Sequence, residues 1–201
     1  MIAFFLVILV GGFLGAIPFG VVITRLFGAE DPRKSGSGNI GATNVLRTSG
    51  WKSGVLTLLL DVLKGVAAIL FARYVASRVS APALEPIAAL AAVLGHMYSP
   101  FTGFRGGKGV ATGLGVFALL TPGPTALAAL VFILVVAATR YVSIGSMLAA
   151  AAVPLASFWM NYSTVVCTSS ALISLLVIWK HQDNIGRLMR GEENRIGRKK
   201  E

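Results

Sequence analysis

The sequence predicts an all-α polytopic membrane protein with about seven transmembrane helices, and three features carry that expectation. Of the 201 residues, 55% are hydrophobic and 13% charged, whereas a soluble domain carries about twice that charged share. The mean hydropathy is +0.78. Apolar runs recur along the chain, and the connections between them are rich in glycine, proline or basic residues.

The runs follow in order. Ile2 to Ile23 is apolar and suits a spanning helix of about 20 residues. No basic residue precedes it, as a cleaved signal peptide requires, so it reads as a retained first span. Gly11 and Gly15 have the spacing that lets another helix approach closely. Pro18 is expected to kink the span. A polar segment, Thr24 to Ser53, precedes a second span at about Gly54 to Ala72. A third apolar stretch covers Ile87 to Met97, and a fourth follows a second polar segment, His96 to Gly113, and ends at Leu120. Both are short for full spans, which makes five spans the alternative count. Pro122 and Pro124 suggest a tight turn before a fifth run, Thr125 to Thr139. RYVSIGS, Arg140 to Ser146, separates it from a sixth run to Met160. A seventh covers Thr164 to Trp179, and a charged tail occupies 180–201. The whole chain, 1–201, reads as one integral membrane domain with motif segments at about 24–53, 96–113 and 140–146.

With seven spans, one side of the membrane receives Arg25, Arg33, Lys34, Arg47, Lys52, Arg105, Lys108, Arg140 and the basic tail. The other receives Arg73 and Arg78. Lys and Arg are retained in the cytoplasm, so the N-terminus faces out and the C-terminus and all three motif segments face in. The net charge of +10 fits loops facing anionic lipid. No basic stripe interleaved with aromatics is present, so nucleic acid is not an expected partner. One cysteine excludes an internal disulfide, and Cys167, inside an apolar run, reads as a packing residue.

The polar segments hold the candidate chemistry. In SGSGNIGATNVLR, Gly36, Gly38 and Gly41 permit the positive φ angles that turn backbone N–H groups toward an anion. Ser37, Asn39, Thr43 and Asn44 add short hydrogen-bonding side chains, and Arg47 a fork suited to two phosphate oxygens. In GFRGGKGVATG, Gly106 and Gly107 precede Lys108 at the start of a helix, where free N–H groups and the dipole favour phosphate. The P-loop pattern fails, because Thr102 stands where it needs glycine and Gly109 where it needs Ser or Thr. His96 reads equally as a phosphate donor or as an interfacial helix cap. Ser143 and Ser146 fit helix N-caps. His181, Asn184 and Arg187 form one polar stripe if the tail is helical, which also suits a helix lying on the membrane surface. Asp61 and Lys64, at i and i+3 inside the second span, read as a structural pair or an anchor for the first loop. No HxxxxD, no GxSxG and no His/Cys/carboxylate cluster is present, so the chemistry is expected to need no metal and no serine triad.

The ordered set GSGNIGATNVLR, GHMYSPFTGFRGGKGVATG, RYVSIGS and HQDNIGRLMRGEE, with LDVLKG at Leu60 to Gly65, resembles the acyl-phosphate-dependent glycerol-3-phosphate acyltransferases of bacterial inner membranes. The resemblance covers essentially the whole chain. It implies transfer of a fatty acyl group from acyl phosphate to glycerol 3-phosphate, giving lysophosphatidic acid and phosphate, in phospholipid biosynthesis. It implies that Ser37, Arg47, Lys108, Ser143, His181 and Asn184 are phosphate-site residues, with Lys108, Arg47 and His181 closest to catalysis. Acyl phosphate is already activated, so neither a cofactor nor a covalent enzyme intermediate is expected. HMYSPFTGF departs from the aromatic-rich stretch expected there and bears on acyl-chain contacts. Membrane lipids and the enzyme supplying acyl phosphate are the partners this reading admits. The alternative is a transporter or channel for a phosphorylated anion, which predicts midplane polar residues and matched halves with broken helices; the sequence shows no internal repeat.

Orientation is testable directly. Single cysteines at Ser37, Lys108 and Ser143 in a Cys167→Ala background should resist impermeant thiol reagents in intact cells. Labelling of any of them from outside sinks the orientation.

Overall fold

The computed structural model describes residues 1–197; the tail's residues 198–201 lie outside the described part. The chain is all-helical and divides into two compact units, Met1–Leu120 and Thr121–Glu201.

The first unit holds five α-helices, α1 (Ile2–Ala16), α2 (Phe19–Leu26), α3 (Ala42–Val79), α4 (Leu84–Met97) and α5 (Val110–Leu120), with a 3-10 turn, Pro100–Thr102, between the last two. The predicted kink is a break at Ile17–Pro18, where proline has no N–H to continue the ladder. In a membrane the carbonyls freed by such a break need other donors. Ser99 Oγ donates to the Ala16 carbonyl, and Lys64 Nζ donates to the Ile17 carbonyl at 2.8 Å. Gly11 and Gly15 bring α1 against α4, since a Cβ on Gly15 would stand 2.8 Å from Ala92 Cα. Gly65 and Gly115 do the same for α3 and α5.

The starts of α3 and α4 differ from the expected ones. α3 starts at Ala42, inside the polar segment, and runs 38 residues. It is interrupted at Gly50 (φ 85°, ψ 171°), a conformation that favours glycine and lets a short polar helix turn into the apolar one. Thr43, Asn44 and Arg47 therefore sit on a helix, not in a loop. α4 begins at Leu84, three residues before the expected stretch, with Pro86 in its first turn, where the missing N–H costs nothing.

The second unit holds α6 (Pro122–Thr139), α7 (Val142–Trp159), α8 (Thr164–Trp179) and α9 (Gln182–Met189). Pro122 and Pro124 open α6 instead of forming a separate tight turn. Ser163 caps α8 by accepting from the Val166 amide. α7 packs against α6 and α8, with Gly145 seated on Phe132 and Val136. The axis bends by 49° between α8 and α9.

Among the described residues, four helical stretches are long and apolar enough to cross a membrane: Ile2–Leu26, Ala42–Val79, Pro122–Thr139 and Val142–Trp159. The bent pair α8–α9 makes a fifth. α4, of 14 residues, and α5, of 11, fall short of that test.

Candidate active site

In the first unit, the loop 27–41 is organised by Asn44. Its buried amide nitrogen reaches the carbonyls of Pro32, Ser35 and Asn39, at 2.9, 3.1 and 2.8 Å. Its Oδ1 accepts from the Ser37 amide at 2.9 Å. Four loop residues are thus held by one side chain on the first turn of α3. Gly36 and Gly38 take the positive φ expected of them, 62° and 70°. Gly41 does not: at φ −73° it is extended and starts α3, with its N–H on Asn39 Oδ1. The Ser37 N–H ends on Asn44 of α3, and those of Gly38 and Gly41 end on Ser35 and Asn39 of the loop. The side chains of Ser37, Thr43 and Arg47 are exposed, and Thr43 and Arg47 share a helix face at i and i+4. Asp31, hydrogen-bonded and paired to Arg33, is held at a pKa of about 2.

The turn carrying Lys108 departs from the expected phosphate cradle in the same way. Gly106 N–H donates to Met97 O and Gly107 N–H to His96 O. Gly107 lies on the His96 ring, and the position its Cβ would take is filled by the imidazole Nε2. Gly109, at φ 81°, packs on Met97 and Val93. Lys108 is half-buried immediately before α5, where the positive end of the helix dipole lies.

His96 is only 4% exposed, and its Nδ1 sits 2.9 Å from Lys64 Nζ. Lys64 is paired with Asp61 at 2.8 Å. The Asp61–Lys64 pair expected from the sequence is therefore present, but its further contacts go to His96 and the α1–α2 break, not to the first loop.

In the second unit, the stripe of His181, Asn184 and Arg187 is observed at the start of and along α9. His181 is buried, with Nδ1 2.7 Å from the Val177 carbonyl. A carbonyl only accepts, so Nδ1 carries a proton. The neutral ring then presents Nε2 as an acceptor, and it donates from Nε2 only when doubly protonated. Asn184 Nδ2 and Ser143 Oγ both donate to Glu193 Oε1, at 2.6 and 2.9 Å, and Arg187 Nε donates to Oε2 at 2.7 Å. Residues 193–196 are strapped to the start of α7. Arg195 bonds and stacks on Tyr141, and Ile196 N–H donates to Arg140 O. Sequence reasoning missed Glu193. Its signal was the acidic pair after Gly191, which closes the motif HQDNIGRLMRGEE but was given no role.

This polar equipment on an all-helical apolar frame has close counterparts. A family model described as "Glycerol-3-phosphate acyltransferase" matches residues 5–191. A glycerol-3-phosphate acyltransferase of Syntrophotalea carbinolica is 47% identical over 98% of this chain and 99% of that protein. One of Rhodopseudomonas palustris is 46% identical over the full length of both. The chain belongs to the glycerol-3-phosphate acyltransferase family. Among solved structures, the glycerol 3-phosphate form of PlsY (YgiH), an integral membrane glycerol 3-phosphate acyltransferase, superposes with a TM-score of 0.90 at 42% identity, covering 96% of each chain. Its lysophosphatidic acid form gives 0.88 at 41%, covering 96% of this chain and 95% of that one. The acyltransferase is thus all-helical in the manner of an integral membrane enzyme.

Burial raises the Glu193 carboxyl, but the bonds from Asn184, Ser143 and Arg187 outweigh burial and hold it below its ordinary value. A depressed carboxylate contributes stability that is fully present above its ordinary value of 4.5 and lost as pH falls through the lower folded value. Glu193→Gln turns an amide toward a donor and should melt lower at neutral pH by a few degrees, the effect of about 1–2 kcal/mol. That gap to the wild type should close on acidification below 4.5. A gap unchanged by pH would show that the charge is not what holds the strap.

Proposed function

We propose that the enzyme transfers a fatty acyl group from acyl phosphate to glycerol 3-phosphate, releasing phosphate and lysophosphatidic acid, as a step of phospholipid biosynthesis. The observation that carries this reading is the full-length likeness, at 42% identity, to an acyltransferase solved in its glycerol 3-phosphate and lysophosphatidic acid forms. The chain works as one membrane domain in a bacterial inner membrane, with its motif segments in the cytoplasm. Seven crossings follow the seven apolar runs, and the distribution of Lys and Arg among their connections puts the N-terminus out. They require the short α4 and α5 to cross with help from flanking segments, since 14 and 11 residues of helix reach about 21 and 16 Å against about 30 Å of hydrocarbon.

In the reaction, the glycerol hydroxyl attacks the acyl carbonyl carbon. A new C–O ester bond forms, the C–O bond to phosphate breaks, and phosphate leaves. Both substrates and the leaving group are anions. Ser37, Asn39, Thr43, Arg47, Lys108, Ser143, His181 and Asn184 hold phosphate groups. Asn44, His96, Gly106 and Gly107 act by shaping the segments that carry them. The Asn44 amide and the Gly106 and Gly107 N–H groups are already bonded within the fold, which supports their shaping role; Ser143 and Asn184, bonded to Glu193, exchange that carboxylate for phosphate. Lys108 and Arg47 stabilise the departing phosphate. Alignment of two bound reactants supplies several kcal/mol of the barrier without a covalent intermediate, a metal or a cofactor. The enzyme that makes acyl phosphate is the partner this chemistry calls for.

Lys108→Met should lower kcat/KM by about 10²–10³-fold, the cost of removing one electrostatic stabiliser, while insertion and melting stay near wild type. Phosphate release from acyl phosphate plus glycerol 3-phosphate, measured on protein in detergent, checks this. A near-normal rate makes Lys108 a surface residue.

The proton of the glycerol hydroxyl goes to the phosphate of glycerol 3-phosphate, folded back on its own hydroxyl, while His181 and Asn184 grip that phosphate. Phosphate monoesters have a second pKa of about 6, so kcat should keep an acidic limb in His181→Gln while KM for glycerol 3-phosphate rises. A phosphonate analogue with a higher second pKa should carry the limb upward with it. A limb that vanishes in His181→Gln and ignores the analogue makes His181 Nε2 the base.

A further inference from the structure

Lys64 and Asp61 lie inside α3, and each is less than 5% exposed. A buried pair of this kind is at best neutral for stability compared with apolar residues of similar volume, and charges inside membrane spans are costly and usually functional. The contacts of Lys64 show what it holds. Its ammonium forms an ion pair with Asp61 Oδ1 at 2.8 Å and lies at hydrogen-bond distance from two further atoms, the Ile17 carbonyl at 2.8 Å and His96 Nδ1 at 2.9 Å. An ammonium donates and does not accept, so Nδ1 of His96 accepts and the ring proton sits on Nε2. The Nε2 edge is the one lying against Gly107. The same histidine's carbonyl receives the Gly107 N–H, the next carbonyl receives the Gly106 N–H, and Gly109 rests on Met97. Three of the four residues of the turn 106–109 are thus set by the last residues of α4, and the fourth is Lys108.

We propose that Asp61, Lys64 and His96 form a buried positioning relay that sets the turn carrying Lys108, so that the cation meets the phosphate in register. Asp61 holds the ammonium, the ammonium fixes the ring plane and tautomer of His96, and the ring and carbonyl of His96 place Gly107. None of the three touches substrate in this role. The relay rests on the assignment of Lys108 to phosphate stabilisation. A misplacement of about 1 Å at a reacting group costs on the order of 10²-fold in rate, which is how residues distant from the chemistry acquire a kinetic effect.

The test is a double-mutant cycle on purified protein in detergent, read as kcat/KM for acyl phosphate and glycerol 3-phosphate. Lys64→Met should lower the rate about 10–100-fold. In a Lys108→Met background, assayed at raised enzyme concentration, the same change should cost less than threefold, because residues acting as a unit are not additive. If Lys64→Met fails to insert, His96→Gln, which keeps the pair with Asp61 and the bond to Ile17, decides by the same criterion. Equal losses in both backgrounds, or no loss in the wild-type background, overturn the relay and leave Lys108 its role. Near-normal activity of Lys108→Met alone overturns both.

Discussion

The first unit depends on one ammonium group. Breaking the first span at Pro18 releases carbonyls that lipid cannot satisfy. Ser99 takes one, and Lys64 adds a second donor to the Ile17 carbonyl, which also accepts from the Phe19 N–H. A lysine can reach that depth only if its charge is matched, and Asp61 one turn earlier matches it. Removing one partner of a buried pair leaves an uncompensated charge, at a cost of about 3–5 kcal/mol. His96 fills the third donor position, which ties α4 and the turn beyond it to the same point. Break, ion pair and turn are one construction.

The glycines serve two different physical ends. Gly15, Gly65 and Gly115 remove side chains where helix backbones come close, which lets van der Waals packing replace the hydrophobic effect that lipid does not supply. Gly36, Gly38 and Gly109 supply positive φ. In neither set do the glycines of the motifs simply aim N–H groups at an empty space. Asn44, Ser35, His96 and Met97 accept several of those groups within the protein. Those N–H groups are therefore already committed within the protein.

In the second unit, one carboxylate of the tail answers a basic and amide-rich face. Glu193 collects Ser143, Asn184 and Arg187, and Arg195 and Ile196 continue the strap along Tyr141 and Arg140. Low local dielectric makes such a charge-assisted cluster stronger than its members would be in water. It orients Asn184 on the same helical stripe as His181.

The helical class, the kink at Pro18, the pairing of Asp61 with Lys64, the stripe on α9 and the motif set that marks the family were all legible in the sequence. Each depends on residues close in the chain or on composition, where period, charge and proline geometry act directly. Three things were not legible. The start of α3 at Ala42 was hidden because a polar amphipathic turn leaves no apolar signal. The extended Gly41 and the bonded amides of Gly106 and Gly107 depend on which acceptors fold back onto the loops, and composition carries no record of that. The meetings of Lys64 with His96, 32 residues away, and of Ser143 with Glu193, 50 residues away, exist only once helices pack. A hydrogen bond is decided within a few tenths of an ångström, and only the tertiary structure sets distances between residues that far apart in the chain.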